Sequence, residues 1–150
     1  MIPIYGYQIR LFLHVVGACI WIGGQLVLAG LVPTLRRTAG PDVLRAAARQ
    51  FQRLAWPGYA LLVGTGIWNL VEEHVGDYST EQLHALFAKL VLVALSGVGA
   101  AFHAYATGPA VARATSEARM DRRRAISGAS AGLALLFALI AAFQGIQLHG

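Results

Sequence analysis

The chain alternates between long apolar stretches and short charged segments. Four stretches contain no Asp, Glu, Lys or Arg, and they are Leu11–Leu35, Leu54–Val71, Leu90–Ala112 and Ala125–Gly150. A helix crosses a bilayer with about 20 apolar residues, so each stretch approaches or exceeds the length of one span. A membrane β-barrel would instead show alternating segments of about ten residues. We therefore predict an all-α fold, a four-transmembrane-helix bundle forming a single domain over residues 1–150, with spans at about 9–35, 54–72, 84–107 and 126–147.

The charged segments predict how the spans are oriented. Ten arginines lie in two connections, before the second span and before the fourth: Arg36, Arg37, Arg45, Arg49, Arg53, Arg113, Arg119, Arg122, Arg123 and Arg124. The loop between the second and third spans, VEEHVGDYSTEQ, is acidic. By the positive-inside rule both termini are extracytoplasmic (N-out, C-out), in an inner or plasma membrane. Pro41 and Asp42 are typical of a helix start, which predicts a short cytoplasmic amphipathic segment over residues 41–53, before the second span.

Composition agrees with a membrane protein and removes several function classes. The chain is 57% hydrophobic and 13% charged, with a mean hydropathy of +0.58, whereas about a quarter of residues are charged in soluble domains. The net charge of +5 comes from the connecting arginines, so it indicates topology and no nucleic-acid partner. A single cysteine, Cys19, excludes a disulfide within one chain. Phosphate-binding loops and HExxH helices are absent from the sequence, which argues against nucleotide enzymes and HExxH metallohydrolases.

Small residues recur at helical spacing in the first and last spans. They are Gly17, Gly24, Ser127, Ala131, Ala134, Ala138, Ala141 and Gly145. Such faces permit close contact between helices, within one chain or in a homodimer, and they also leave room for a flat cofactor. Spacing alone does not separate these alternatives.

Histidines are the main candidates for metal chemistry, because neutral imidazole binds iron, copper and zinc. The predicted topology places His14, His74, His84 and His149 toward the outer side and His103 toward the cytoplasm. His14 is the strongest candidate since it lies within the first span, on a face that continues through Gly17 to Trp21. A gap with an aromatic wall suits a porphyrin. The alternative is a histidine that only hydrogen-bonds a neighbouring helix, and the interfacial histidines would then be solvated.

Lys89 and His103 form the second candidate feature. They are two heptads apart, so they share one helix face with Ser96 and Ala100 and lie about 21 Å apart. This polar stripe would flank a large ligand or conduct protons. An inward Lys89 would pair with a haem propionate or a porphyrinogen carboxylate, whereas an outward Lys89 would snorkel to the headgroups.

Three strings of the sequence resemble known membrane proteins: LHVVGACIWIGG, QFQRLAWPGYALLVGTGIWNL and LHALFAKLVLVALSGVGAAFH. The first is similar to the opening span of CopD-type copper-resistance proteins. The second and third resemble HemJ-type protoporphyrinogen oxidases. The residues that carry the two resemblances are His14, Trp21, Gly23 and Gly24 for the first and Pro57, Gly66, Trp68, Lys89 and His103 for the second.

The two resemblances imply different cofactors. HemJ-type proteins bind b-type haem and depend on a span-one histidine and a span-three lysine, which implies His14 as a ligand and Lys89 as a catalytic residue here. CopD-type proteins imply copper uptake or tolerance, with His14 as the residue carried over. The chain has only two methionines, Met1 and Met120, which weighs against a methionine-lined copper conduit.

Taken together, the sequence predicts a membrane protein that binds haem b between its helices toward the outer face. His14 would be one axial ligand, with Trp21, Lys89 and His103 also binding the cofactor. Its role would be electron transfer or porphyrinogen oxidation, an oxidoreductase activity, with quinone or another redox partner. The first alternative is copper transport or resistance through the metal ligands His14, His74 and His84. The second is a structural membrane subunit without a cofactor.

Overall fold

The described part of the chain is helical and contains no strand. A computed structural model describes residues 5–72, 78–107, 109–110 and 117–147. The elements of the described residues include the α-helices α1 (Gly6–Ala18), α2 (Gly24–Thr38), α3 (Pro41–Glu72), α4 (Thr80–Phe102) and α5 (Glu117–Gln147). A π-helical segment, Cys19–Gly23, joins α1 to α2, and a second one, His103–Thr107, continues α4.

Within the described residues, four helical stretches are long and apolar enough to cross a membrane. They are Gly6–Thr38, Pro41–Glu72, Thr80–Thr107 and Ala118–Gly145. The predicted all-α class with four spans is therefore confirmed. The helices extend beyond the charge-free stretches because arginine and glutamine are good helix formers, and long arginine stems remain compatible with apolar surroundings.

The second span differs from its prediction at its start. Pro41 begins α3 and Asp42 lies in its first turn, as expected for a helix N-terminus. Residues 41–53, however, are continuous with the span, in one helix of 32 residues. The sequence between Asp42 and Trp56 contains no glycine or proline, so nothing interrupts the backbone hydrogen bonds. At 1.5 Å per residue α3 is about 48 Å long, well beyond the hydrocarbon thickness.

The chain forms two compact units, Met1–Asp77 and Tyr78–Gly150. We call them the N-terminal and C-terminal units. The N-terminal unit packs α1, the first π-helical segment and α2 against α3, and the C-terminal unit packs α4 against α5. The single bundle domain over residues 1–150 stays a prediction.

Close backbone approach holds the N-terminal unit together. A Cβ added at Gly17 would lie 2.7 Å from the backbone nitrogen of Leu62, and one at Gly24 would lie 2.8 Å from the Phe51 ring. The α3 residues that face α1 and α2 are spaced alternately by four and three: they include Phe51, Ala55, Gly58, Leu62 and Thr65. This is the heptad spacing of a coiled-coil seam. The small residues of the first span therefore serve helix packing here.

In the C-terminal unit, small hydroxyl and alanine side chains allow α4 and α5 to pack closely. Ser96 is 1% exposed, and its hydroxyl donates a hydrogen bond to the carbonyl of Ala134 over 2.8 Å. Ala134, Ala138 and Ala141 are buried, so the predicted small-residue face of the last span also packs against a helix. Hydrogen bonds of this kind contribute about 0.6 kcal/mol on average between membrane helices.

Candidate functional site

His14 projects from α1 toward α3, where Thr65 holds its ring. The Nδ1 atom of His14 lies 3.0 Å from the Thr65 hydroxyl oxygen. That hydroxyl donates its single hydrogen to the carbonyl of Leu61 over 2.6 Å, so its oxygen accepts the hydrogen of His14 Nδ1. In a neutral imidazole the lone pair then resides on Nε2. A metal ion at His14 would therefore bind through Nε2.

Two glycines fix the surroundings of this histidine. A Cβ at Gly66 would lie 3.3 Å from the Cε1 atom of His14, so a larger residue there would press on the ring. Gly17 lies one turn further along α1, and the backbone of α3 at Gly58 and Leu62 fills the space beside it. The gap that the sequence offered to a flat cofactor is therefore occupied by α3.

Trp21 lies in the first π-helical segment and is 2% exposed. Its ring centroid is 4.4 Å from that of Tyr59 and 5.8 Å from that of Trp56. The side-chain amide of Gln25 donates a hydrogen bond to the Trp21 carbonyl over 3.0 Å. The predicted aromatic wall is thus part of the packed seam between the helices of the N-terminal unit.

Arg10 closes the other end of the same seam. Its Nε donates to the side-chain carbonyl of Asn69, and its guanidinium lies 3.8 Å from the Glu72 carboxylate. The sequence analysis did not predict these partners. The spacing along α3 could have predicted them, because Asn69 and Glu72 continue the heptad spacing from Thr65.

His103 begins the second π-helical segment and faces α5. Its Nδ1 lies 2.9 Å from the backbone carbonyl of Ser127, with the hydroxyl oxygens of Ser127 and Ser130 at 3.2 and 3.5 Å. A carbonyl only accepts, so Nδ1 carries the hydrogen and Nε2 the lone pair. Thr107 donates to the His103 carbonyl over 3.2 Å. His103 therefore has the same tautomer and the same type of support as His14.

Lys89 lies on the face of α4 that carries Ser96 and His103, as the heptad spacing predicted. Its Nζ would be 3.1 Å from a Cβ added at Gly145 of α5, so the side chain lies against that helix. The neighbouring Gln144 has a buried side-chain oxygen without a hydrogen-bond partner among the described residues. The polar stripe of α4 is thus directed toward α5.

Among the remaining predicted ligands, the structure describes His84. His84 is exposed on α4, and His74 and His149 lie outside the described residues. Within the described residues, no group of three or more His, Cys, Asp or Glu side chains is placed to hold a metal ion. The structure joins His14 to Thr65 in the N-terminal unit, and His103 to Ser127 and Ser130 in the C-terminal unit.

Comparison with protein families identifies one match. The family described as copper resistance protein D (CopD) matches residues 45–144, which is two thirds of the chain. Thr65, Lys89 and His103 lie inside the matched part, and His14 precedes it. Comparison with curated proteins and with solved structures gave no match. The match bears out the CopD side of the resemblance, while the HemJ side stays a prediction. The chain, with its four apolar helices, is an integral multi-pass membrane protein that belongs to the copper resistance protein D family.

Proposed function

We propose that this protein handles copper ions within the membrane and binds them through the Nε2 atoms of His14 and His103. One observation carries the proposal: each of these histidines has its Nδ1 hydrogen held by an oxygen acceptor of the facing helix. Metal-binding histidines donate their other ring N–H in this way, which fixes the ring and its tautomer. Imidazole nitrogen is a good copper ligand.

The location of the two histidines supports the same function. Polar groups inside a membrane are expensive, and they mark pathways for ions or substrates. His14 and His103 are partly buried within helices that span the membrane. In the orientation that the arginines favour, with both termini extracytoplasmic, His14 is nearer the outer side and His103 nearer the cytoplasm. The protein would then offer copper one nitrogen ligand in each unit.

Lys89 does not conflict with a cation at His103. The two residues are 14 positions apart on α4 and its continuation, or about 21 Å along the helix. Its Nζ lies beside Gly145, near the opposite end of α5 from Ser127. The positive charge of Lys89 is therefore remote from the proposed His103 ligand.

Haem b is the second candidate, because Nε2 of a histidine held at Nδ1 is also suited to axial ligation of haem iron. Haem would supply one-electron chemistry, and quinone would be a redox partner. The surroundings of Gly17 do not fit a porphyrin, since the α3 backbone fills that gap. Copper is for this reason the first candidate.

Metal analysis and a visible spectrum of the purified protein distinguish these functions. We expect stoichiometric copper and no Soret band when the protein is made in cells supplied with both copper and a haem precursor. A Soret band that shifts on reduction, in a protein without copper, would contradict the copper proposal and favour haem b. A colourless protein free of metal would overturn both proposals and favour a structural subunit.

Thr65 is proposed as a positioning residue for His14. Thr65→Val keeps the shape of the side chain but removes the acceptor for the Nδ1 hydrogen, and loss of such a partner lowers metal affinity by about 10- to 100-fold. A competition titration of copper against a chelator measures this change. Thr38→Val is the matched control, because Thr38 is exposed and its hydroxyl, among the described residues, bonds to the carbonyl of Thr34 in its own helix. Equal affinities for both variants would contradict the role of Thr65.

A further inference from the structure

We propose that the arginine face at the start of α3 binds the phosphate groups of anionic phospholipids. Arg45, Arg49 and Arg53 are spaced by four residues, so they form a stripe on one side of the helix. All three are exposed. Arg45 pairs with Asp42 in the preceding turn. Arg49 and Arg53 have no carboxylate partner among the described residues, and they present two guanidinium groups to the surroundings.

The packing of the N-terminal unit determines the depth of this stripe. The ring of Phe51 lies against Gly24, and Arg49 and Arg53 flank Phe51 in the sequence. Beyond Gly24, α2 continues through eleven uncharged residues to Leu35, or about 16 Å. Leu26, Val27 and Leu31 in that stretch are 49%, 63% and 48% exposed. Guanidinium groups and exposed aliphatic side chains therefore lie at the same depth of one unit.

An anionic phospholipid satisfies both kinds of surface. Its phosphate accepts paired hydrogen bonds from a guanidinium, and its acyl chains cover the aliphatic side chains of α2. A free phosphate ion, an acidic protein or a nucleic acid would match the arginines but does not contain the acyl chains that cover the apolar surface beside them. The uncharged stretch of the first span has 25 residues and that of α3 has 18. This difference in length favours local thinning of the bilayer, which brings headgroups down to the arginines.

Brominated lipids test the proposal, because bromine quenches tryptophan fluorescence only at short range. In a Trp68→Phe background the emission comes from Trp21 and Trp56, and Trp56 is one turn from Arg53. The protein is reconstituted in vesicles of brominated phosphatidylglycerol or brominated phosphatidylcholine mixed with unbrominated lipid. We expect selectivity for phosphatidylglycerol. It should fall by about fivefold for each arginine removed in Arg49→Gln and Arg53→Gln, since one arginine near the surface contributes about 1 kcal/mol.

Three further measurements make the result decisive. Arg119→Gln with Arg122→Gln, which removes two exposed arginines of α5, should leave the quenching selectivity unchanged. Inorganic phosphate should not compete with phosphatidylglycerol, and effective competition would assign the stripe to free anions and overturn the lipid proposal. Selectivity for phosphatidylglycerol that is unchanged when Arg49→Gln and Arg53→Gln are combined would also overturn the lipid proposal. Copper binding should be the same in all these variants, so this test and the copper test fail independently.

Discussion

Replacing His14 or His103 with alanine is expected to lower the copper affinity of the protein by at least about 100-fold at the altered site. The substitution removes the nitrogen ligand itself, whereas loss of a supporting partner already costs about 10- to 100-fold. Each variant should retain the other site, since the two histidines lie in different units. Copper stoichiometry and chelator competition, measured on purified protein, give both quantities.

The control for these variants is His84→Ala. His84 is exposed on α4, so its removal should leave copper affinity unchanged. At the His14 site, copper affinity should fall most in His14→Ala, less in Thr65→Val and not at all in His84→Ala. An unchanged copper affinity in His14→Ala would contradict the role of His14 as a ligand. A loss in His84→Ala equal to that in His14→Ala would place the copper site at the membrane interface, near His84. The melting temperature of each variant separates lost ligation from lost folding.

The four spans were predictable because lipid imposes a simple requirement on sequence. Every backbone polar group must be paired within the segment, so a long uncharged stretch has few alternatives to a helix. The start of α3 was also predictable, from Pro41 and Asp42. Its continuity into the span was not, because an amphipathic helix at the surface and the first turns of a long helix share the same pattern of residues.

The two π-helical segments could not be predicted from the sequence pattern. Each shifts the hydrogen-bond register of a helix at one place, next to a side chain with specific tertiary contacts. Trp21 packs against Tyr59 and Trp56, and His103 bonds to Ser127. Those contacts are made with other helices, so the pattern of residues along one helix does not specify where the register shifts. Such segments are frequent at functional sites.

The candidate site was only half predictable for a similar reason. His14, Lys89 and His103 are conspicuous, since ionisable groups are rare in spans. Thr65 and Ser127 are inconspicuous, because serine and threonine commonly bond to their own helix. Thr65 does so through Leu61 and accepts from His14 at the same time. The second interaction depends on the register between two helices, which spacing along one helix does not specify.

Gly17→Ala is expected to destabilise the N-terminal unit, although alanine is normally the better helix former. The new Cβ would lie 2.7 Å from the backbone nitrogen and 2.9 Å from the Cα of Leu62. Backbone atoms of α3 have no alternative rotamer, so the two helices must separate. Overpacking of this kind costs about 1–3 kcal/mol. The free energy of unfolding, from denaturant titration in mixed micelles, should fall by that amount.

Gly30→Ala gives the opposite expectation on the same continuous helix. Apart from its chain neighbours and its own helix backbone, no atom of the described residues lies within 4 Å of an added Cβ at Gly30, so the helix preference of alanine should raise the free energy of unfolding by about 0.5–1 kcal/mol. The change in the free energy of unfolding should therefore be negative for Gly17→Ala and positive for Gly30→Ala, because only Gly17 contacts the α3 backbone. Changes of the same sign would contradict the packing of α1 on α3. Separation of these helices also moves His14 from Thr65. Gly17→Ala should therefore weaken copper binding as Thr65→Val does, even though it alters no polar group.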